Sequence, residues 1–341
     1  IKEIRERLHN SQNPLFFFDN DVDGLCSFLI LQRAIGRGKG VPIKSYPELN
    51  KSYVRKINEL NPDSVFILDK PRVSKEFIEE VKNMGLPITW IDHHDVEMQN
   101  NKEILEKADY YNSFPTAEPT TYISYSVSEN KKDLWLAVLG CIADVYKPEF
   151  LDEFSEKYPE LISKKSLDSC AFNILNSTEI GKIIKMLNFG LMDKTTNVVR
   201  LMKYLMKAED IYDVLEENPK TRQLHKRYNE LNNILERLIQ KAEKSNNPHD
   251  KIIFFSYAGQ TSMSSEIANT LYFKHPDKIV IVGFKHPDKI NLSIRGNNAK
   301  KFTEGLIKNI DGATGGGHET ACGAMITSDK FDELKSFIKD F

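Results

Sequence analysis

Three aspartates stand at alternate positions directly after the most apolar short run of the sequence. The run is LFFF (15–18), and the carboxylates that follow it are Asp19, Asp21 and Asp23, closed by Gly24. An apolar run of this kind predicts a buried strand, and carboxylates crowded at its end repel one another unless a cation lies between them. The pattern therefore predicts a cation site at the end of this strand.

Three further segments deliver acidic or imidazole side chains in the same way. SVFILD ends in Asp69, PITWIDHHD runs into Asp92, His93 and His94, and the apolar stretch LWLAVLGCIADVY carries Asp144 near its end. In a mostly parallel sheet, ligands gather outside the carboxyl ends of the strands. We therefore expect these side chains to converge with the three aspartates in one crevice.

The predicted cluster is rich in oxygen ligands and offers one or two imidazoles. This donor set suits manganese or magnesium better than a metal that prefers thiolates, and no cysteine is suitably spaced. Two ions bridged by a carboxylate would polarise a phosphoryl oxygen and generate hydroxide near neutral pH. Other interpretations of single pieces stay open. DxDxDG also begins a calcium loop, although its twelfth position is Ile30 instead of glutamate, and Asp69 or Asp144 alone can cap a helix.

Helical patterns separate the apolar runs of the first half. They lie at 27–36 and 73–85, and this alternation indicates βαβ units and a mostly parallel sheet. From 155 to 247 the patterns are helical without a clear strand, and 220–245 predicts one long helix. Its apolar positions are Leu224, Tyr228, Leu231, Leu235, Leu238 and Ala242.

The C-terminal part returns to strand patterns and ends in a glycine-rich segment. Strands are predicted for 251–257, 278–284 and 289–296. The backbone amides of Gly315, Gly316 and Gly317 can wrap an anionic group, with His318 as a phosphate donor. Arg295, at the end of the last of these strands, can donate two parallel hydrogen bonds to a phosphate. A plain turn and a surface ion pair are the alternative interpretations.

Length and composition limit the classes of protein to consider. The 341 residues are 40% hydrophobic, enough for two domains, and 47 lysines and arginines nearly balance 49 aspartates and glutamates. A charge near zero predicts no general affinity for nucleic acid, so such contacts need a local groove. Arg33, Arg37 and Lys39 could line it, or form a solvated loop. Four single cysteines and no membrane-length apolar stretch predict a cytoplasmic protein with reduced thiols and no membrane contact.

Taken together, the motifs resemble those of the DHH phosphoesterase superfamily. The first motif stands as DNDVDG (19–24), the second as the aspartate of VFILD, the third as DHH (92–94) and the fourth as the aspartate of GCIAD. GGGHETACG (315–323) is similar to the glycine-rich motif of the DHH-associated domain. The resemblance covers nearly the whole chain apart from its helical middle.

The resemblance implies an α/β fold in three segments. A mostly parallel-sheet DHH domain is expected at 1–185, a helical connector at 186–247, and a smaller α/β DHH-associated domain that binds substrate at 248–341. The metal site is expected in the cleft between the two α/β domains.

The resemblance also implies a role for each residue of the cluster. Asp21 and Asp69 would hold one manganese ion. Asp69 would bridge to a second ion, which Asp23, His93 and Asp144 would also hold.

Three residues beside the expected ligands complete the implied site. His94 would lie next to the ions and the scissile phosphate, and Asp92 would orient a ligating imidazole as a catalytic partner. Relatives such as nano-RNases carry a histidine four residues before the D-x-D pair, where this chain has Phe17. Asp19, where the RecJ-like branch also carries an aspartate, is expected to fill this gap.

The implied function is that of a RecJ-like exonuclease of the archaeal type, which hydrolyses single-stranded DNA or RNA with water activated by two Mn²⁺ ions. Mg²⁺ is the alternative ion. Arg295 and the stretch 315–318 match the places where relatives grip the substrate. Two alternatives stay open: a nano-RNase or phosphodiesterase of short or cyclic dinucleotides, and a replication scaffold that binds GINS. A replication or repair protein is also compatible as a partner of an active nuclease.

Overall fold

The chain folds as two compact units. They are the first unit, Ile1–Tyr228, and the second unit, Asn229–Phe341. A computed structural model describes residues 1–45, 48–95, 104–245, 247 and 249–341. Among the helices of these described residues, none has the length and the apolar character that crossing a membrane requires.

The first unit is built on a parallel five-stranded sheet. Its strands are β1 (Pro14–Asp19), β2 (Lys39–Ile43), β3 (Ser64–Leu68), β4 (Ile88–Asp92) and β5 (Asp109–Asn112). They lie in the order β2-β1-β3-β4-β5, and every neighbouring pair is parallel. Phe18 pairs with Leu68 and Leu68 with Ile91, so the carboxyl ends of β1, β3 and β4 lie side by side. The predicted parallel sheet is confirmed.

Helices cover both faces of this sheet. They are α1 (Lys2–Asn10), α2 (Val22–Ile35), α3 (Val54–Leu60), α4 (Lys75–Asn83), α5 (Thr120–Ser128), α6 (Leu134–Ala143), α7 (Leu151–Lys157), α8 (Lys164–Leu167), α9 (Ala171–Ser177), α10 (Glu179–Leu191), α11 (Thr195–Leu205) and α12 (Tyr212–Leu215). Phe16 and Phe18 join one buried cluster with α2, α5 and α6, whereas Phe17 joins a second cluster with α3 and α4. Burial on both faces explains why β1 is continuously apolar.

The helical middle of the chain packs onto the first of these clusters. Ile183, Leu187 and Leu205, from α10 and α11, are buried members of it. The described residues from Leu151 to Ser245 form helices and no strand, as predicted. The last helix, α13 (Arg222–Ser245), is 24 residues long and contains the boundary between the two units. The finer division of the chain at 185 and 247 stays a proposal.

A buried ion pair joins α2 to the residue that precedes α6. Arg33 Nε lies 2.6 Å from Oδ1 of Asp133, whose side chain is 0% exposed. Another nitrogen of the same guanidinium donates to the carbonyl oxygens of Leu205 and Ala208, at 3.1 and 2.6 Å. Arg33 is therefore used inside the first unit. Because its Nε and one terminal nitrogen are bound to protein oxygens, the structure argues against the alternative in which Arg33 lines a channel for phosphates.

The second unit contains a mixed five-stranded sheet. Its strands are β6 (Ile252–Tyr257), β7 (Ile279–Lys285), β8 (Lys289–Arg295), β9 (Thr314–Gly317) and β10 (Ala321–Thr327). The order is β6-β7-β8-β10-β9, in which β6 and β7 are parallel and the other pairs antiparallel. Its helices are α14 (Ser264–Lys274), α15 (Ala299–Asn309) and α16 (Phe331–Asp340). The glycine-rich segment thus forms a β-hairpin, and the smaller α/β domain predicted here is confirmed.

Candidate metal centre

The first aspartate motif links the end of β1 to the start of α2. Asp21 is the N-cap of α2, and its Oδ1 accepts a hydrogen bond of 2.9 Å from the amide of Gly24. A Cβ atom at Gly24 would lie 2.4 Å from the carbonyl oxygen of Asp19. Only glycine therefore lets the helix begin this close to the strand, and the tight turn keeps the three aspartates together.

Asp23 is held by the first turn of α5. Its two carboxylate oxygens accept hydrogen bonds from the amides of Thr120 and Thr121, at 3.0 and 2.8 Å, and the Thr121 hydroxyl donates to the Asp23 carbonyl. Free amides at a helix N-terminus stabilise a carboxylate in this way. Neither threonine is among the site residues predicted from the sequence. The signal available for them is Pro119 directly before a helical pattern, which marks a helix start.

Asp69 follows β3 in a backbone conformation that few residues adopt. Its φ is +57°, in the left-handed region, and its side chain is 3% exposed. Such strain costs about 1 kcal/mol or more and collects at functional sites. The Asp69 amide donates to the carbonyl of Ile91 at 2.9 Å, which anchors the turn to β4. The fold therefore holds this carboxylate in place at a cost in backbone energy.

His93 brings three of the carboxylates together. Its Nε2 lies 3.3 Å from Oδ1 of Asp69, 3.4 Å from Oδ2 of Asp144 and 3.9 Å from Oδ2 of Asp23. Asp144 is the C-cap of α6 and Asp23 lies in the first turn of α2, whereas Asp69 and His93 directly follow β3 and β4. One imidazole and three carboxylates around a common point form a donor set that fits Mn²⁺ or Mg²⁺. Among the described residues, two groups have one ligand atom per side chain within 4.8 Å of one another. The first group is Asp69, His93 and His94, and the second is Asp23, His93 and Asp144.

The second histidine is paired with the buried carboxylate of the DHH motif. His94 Nδ1 lies 2.8 Å from Oδ1 of Asp92, whose side chain is 0% exposed, whereas His94 is 32% exposed. Burial opposes the charged ring, but the hydrogen bond and charge of Asp92, with the charges of Asp144 and Asp21, raise the pKa of His94 to about 9. The structure thus places the Asp92 carboxylate on the ring of His94, the second imidazole of the candidate centre.

The carboxylates of the cluster strongly disfavour being charged together. Desolvation and the charge of Asp23 raise the pKa of Asp69 and of Asp144 well above the ordinary range. Desolvation and the charges of Asp19 and Asp23 raise the pKa of Asp21 to about 7. A divalent cation among these groups would favour their charged forms and relieve the repulsion.

The metal-free protein is expected to lose stability as the pH rises. The pKa of Asp21 goes from 3.8 to about 7 on folding and that of His94 from 6.5 to about 9, so the folded chain binds more protons than the unfolded chain above about pH 4. Both contributions are present at low pH and are lost as the pH rises through these folded values. Thermal unfolding should show a falling Tm between about pH 5 and 9. Because a cation favours the charged carboxylates, added Mn²⁺ should raise the Tm more at about pH 9 than at about pH 5. An increase in Tm that is equal at both pH values would contradict the account.

Asp19 and Phe17 occupy different surroundings from the ligands around His93. Asp19 Oδ1 accepts hydrogen bonds from the amide of Asn20 at 2.9 Å and from Nζ of Lys70 at 3.1 Å. Phe17 packs edge-on against Phe77, with ring centroids 5.4 Å apart, inside the second buried cluster. Phe17 therefore supplies packing and no ligand, and Asp19 already has a cationic partner.

The predicted substrate-binding residues lie in the second unit, at the ends of β8 and of the β9–β10 hairpin. Arg295 Nε donates to Oδ1 of Asn269 at 2.6 Å, and NH1 donates to the Cys322 carbonyl at 3.3 Å. Gly315, Gly316 and Gly317 form β9, and His318 begins the exposed turn that follows. A Cβ atom would clash at Gly315 and Gly317, but it would meet no atom within 4 Å at Gly316.

Two family models match this chain. The DHH family, N-terminal domain matches residues 15–144, and the DHHA1 domain matches residues 248–341. The chain therefore contains a DHH N-terminal domain and a DHHA1 domain. The first match contains every residue of the acidic cluster, and the second contains Arg295 and the glycine-rich hairpin. No protein of curated function matches the sequence.

Solved structures share the fold of this chain. RecJ from Thermus thermophilus, in complex with Mn²⁺, has a TM-score of 0.69 at 14% identity, over 99% of this chain and 53% of RecJ. A DHH domain described as belonging to a family of ribosomal proteins gives 0.69 at 16%, over 99% and 88%. CDC45 from Entamoeba histolytica gives 0.55 at 8%, over 99% and 96%. The chain thus spans about half the length of that RecJ, and these likenesses establish a common fold.

Proposed function

We propose that this DHH protein is a metal-dependent phosphodiesterase that acts as a RecJ-like exonuclease on single-stranded nucleic acid. The observation that carries the proposal is the convergence of the carboxylates of Asp23, Asp69 and Asp144 on Nε2 of His93. Such a centre at the carboxyl edge of a sheet suits a divalent cation better than any structural role. RecJ of the same fold has been solved with Mn²⁺ and with Mg²⁺, which favours these two ions.

The residues around the centre are proposed to have different roles in hydrolysis. A bound ion would lower the pKa of water and polarise a phosphoryl oxygen. Asp23, Asp69, His93 and Asp144 would hold it. The hydrogen bond and charge of Asp92 favour the protonated ring of His94, in which Nδ1–H donates to Asp92 while Nε2–H is left to donate to a phosphate oxygen. Asp92 therefore fixes both the charge and the orientation of the proton donor.

The end of β8 and the glycine hairpin are proposed to hold a phosphate of the substrate. Arg295 is oriented by Asn269 and by the Cys322 carbonyl, which fixes the plane of its guanidinium. At Gly316 a side chain would meet open space, so the fold itself does not require glycine there. A close approach of an anion to the exposed backbone explains it, with His318 as a further donor.

Arg295→Gln is expected to raise KM for a single strand by about tenfold or more, with a smaller effect on kcat, because a charge-assisted bond to phosphate is worth roughly 1.5–3 kcal/mol. Steady-state kinetics with a fluorescent strand measures this. Arg237→Gln, on the exposed face of α13, is the matched control and should leave KM unchanged. A loss confined to kcat would contradict a binding role for Arg295.

The proposal is tested with end-labelled single strands of DNA and RNA, from two to about thirty nucleotides, in the presence of Mn²⁺. Processive shortening of the long strands is the expected result, and the labelled end then reveals the polarity. Cleavage confined to strands of two to about five nucleotides would favour a dinucleotide enzyme instead. No cleavage of any strand would overturn the nuclease proposal and favour a replication scaffold.

A further inference from the structure

Lys70 is a buried lysine at the edge of the sheet where the aspartates meet. It directly follows Asp69, its side chain is 4% exposed, and its Nζ lies 3.1 Å from Oδ1 of Asp19. The Trp90 indole donates to the Lys70 carbonyl at 2.9 Å and fixes the main chain at this point. A buried ammonium is costly unless it is paired, so Lys70 and Asp19 depend on each other.

The acidic cluster has two ends with different partners. At the His93 end, Asp69 Oδ1 lies 3.3 Å from His93 Nε2, and two further carboxylates approach the same nitrogen. At the Asp19 end, the next residue of the chain, Lys70, presents an ammonium to the carboxylate. Consecutive residues after β3 thus supply an anion to one end and a cation to the other.

At the Asp19 end, one oxygen of each carboxylate is already hydrogen-bonded. Asp19 Oδ1 already accepts two hydrogen bonds, and Asp21 Oδ1 accepts one from the Gly24 amide. Phe17 is buried among aromatic rings and offers no ligand. Among the described residues, both groups of ligand atoms close enough to hold a metal contain His93, and neither contains Asp19 or Asp21.

We infer that this protein binds one divalent ion tightly, at the His93 end, and that the Lys70 ammonium takes the place of a second ion at the Asp19 end. The inference rests on the proposed function, because it concerns the cations of the same site. A fixed positive charge satisfies Asp19 and repels a divalent ion only a few ångströms away. Lys70 is therefore a positioning residue that sets the number of ions, and this inference differs from the sequence-based expectation of two ions.

Counting the bound ions tests this inference without using activity. Mn²⁺ titration followed by electron paramagnetic resonance, with native mass spectrometry, should give one tight ion per wild-type chain. Lys70→Met removes the charge and should tighten binding of a second ion by roughly tenfold or more. Lys70→Arg keeps a positive charge and should still bind one ion tightly.

The outcomes separate this inference from the proposed function. Two ions of similar affinity in the wild type, with the spectrum of an exchange-coupled pair, would overturn the inference and leave hydrolysis intact. A folded Lys70→Met variant that still binds a single ion would also overturn it. If that variant does not fold, the wild-type count decides alone. No tight ion in the wild type, with no cleavage, would instead refute the proposed function.

Discussion

Asp69→Asn is expected to lower Mn²⁺-dependent hydrolysis by about 10³-fold or more. The substitution removes the carboxylate nearest to His93 Nε2, and a bound ion contributes several kcal/mol to stabilising the transition state. Asparagine tolerates the φ of +57° at this position, so the turn after β3 should stay as it is. Rates of strand cleavage at saturating Mn²⁺ measure the effect.

The same variant should gain stability when the metal is absent. Asp69 has a strongly raised pKa in the folded chain, so its charge destabilises the fold near and above neutral pH. We expect the Tm of metal-free Asp69→Asn to exceed that of the wild type, whereas Asp168→Asn, at a carboxylate outside the cluster, changes neither rate nor Tm. An active Asp69→Asn enzyme, or one that is less stable than the wild type without metal, would contradict this description of the site.

Arg33→Met is expected to destabilise the first unit by about 3–5 kcal/mol, because it leaves a buried carboxylate without its cation. Asp133 is 0% exposed and lies 2.6 Å from Arg33 Nε, and the main-chain oxygens of Leu205 and Ala208 lose a donor at the same time. Burial already raises the pKa of Asp133 despite Arg33. Protonation of Asp133 should therefore make the loss of stability in Arg33→Met smaller at low pH. Urea unfolding at about pH 5 and pH 8 measures both effects.

Two controls identify the cause of that destabilisation. The double variant Arg33→Met/Asp133→Leu removes both charges and should regain part of the lost free energy of unfolding. Arg237→Met, on the exposed face of α13, should change it by no more than about 0.5 kcal/mol. If Arg33→Met alone changed the free energy of unfolding as little as Arg237→Met does, the Arg33–Asp133 pair would not stabilise the fold.

The parallel sheet and the positions of the aspartates that follow its strands could be predicted, because both depend on local sequence patterns. The run that contains Phe16, Phe17 and Phe18 is continuously apolar since both faces of β1 are covered, and parallel pairing then brings Asp69 beside Asp19. The convergence of segments follows from the topology alone.

The partners within the site could not be predicted in the same way, because they join residues far apart in the chain. Asp23 is bound by the amide of Thr120, 97 residues later, and Lys70 reaches Asp19 across 51 residues. The local periodicity of the sequence does not indicate contacts between residues this far apart in the chain. Arg33 illustrates the reverse error: its place near a glycine-rich loop suggested solvent, yet its partner Asp133 lies 100 residues away and is buried.

The long helix shows how a spacing rule fails in detail. The near-heptad pattern placed Leu235, Leu238 and Ala242 on the buried side of α13, but the buried positions there are Leu235, Ile239 and Ala242. From Leu231 through Leu235 to Ile239 the buried side takes two consecutive steps of four residues, so the strict alternation of three and four that defines a heptad is interrupted there.

The most direct test of the metal centre is pulsed electron paramagnetic resonance of the Mn²⁺-loaded protein, which detects nitrogen nuclei bound to the ion. The account predicts coupling to an imidazole nitrogen in the wild type and in His94→Gln, and loss of that coupling in His93→Gln. Coupling that survives in His93→Gln, or Mn²⁺ that binds without any imidazole, would contradict a centre built on His93 and the three carboxylates around it.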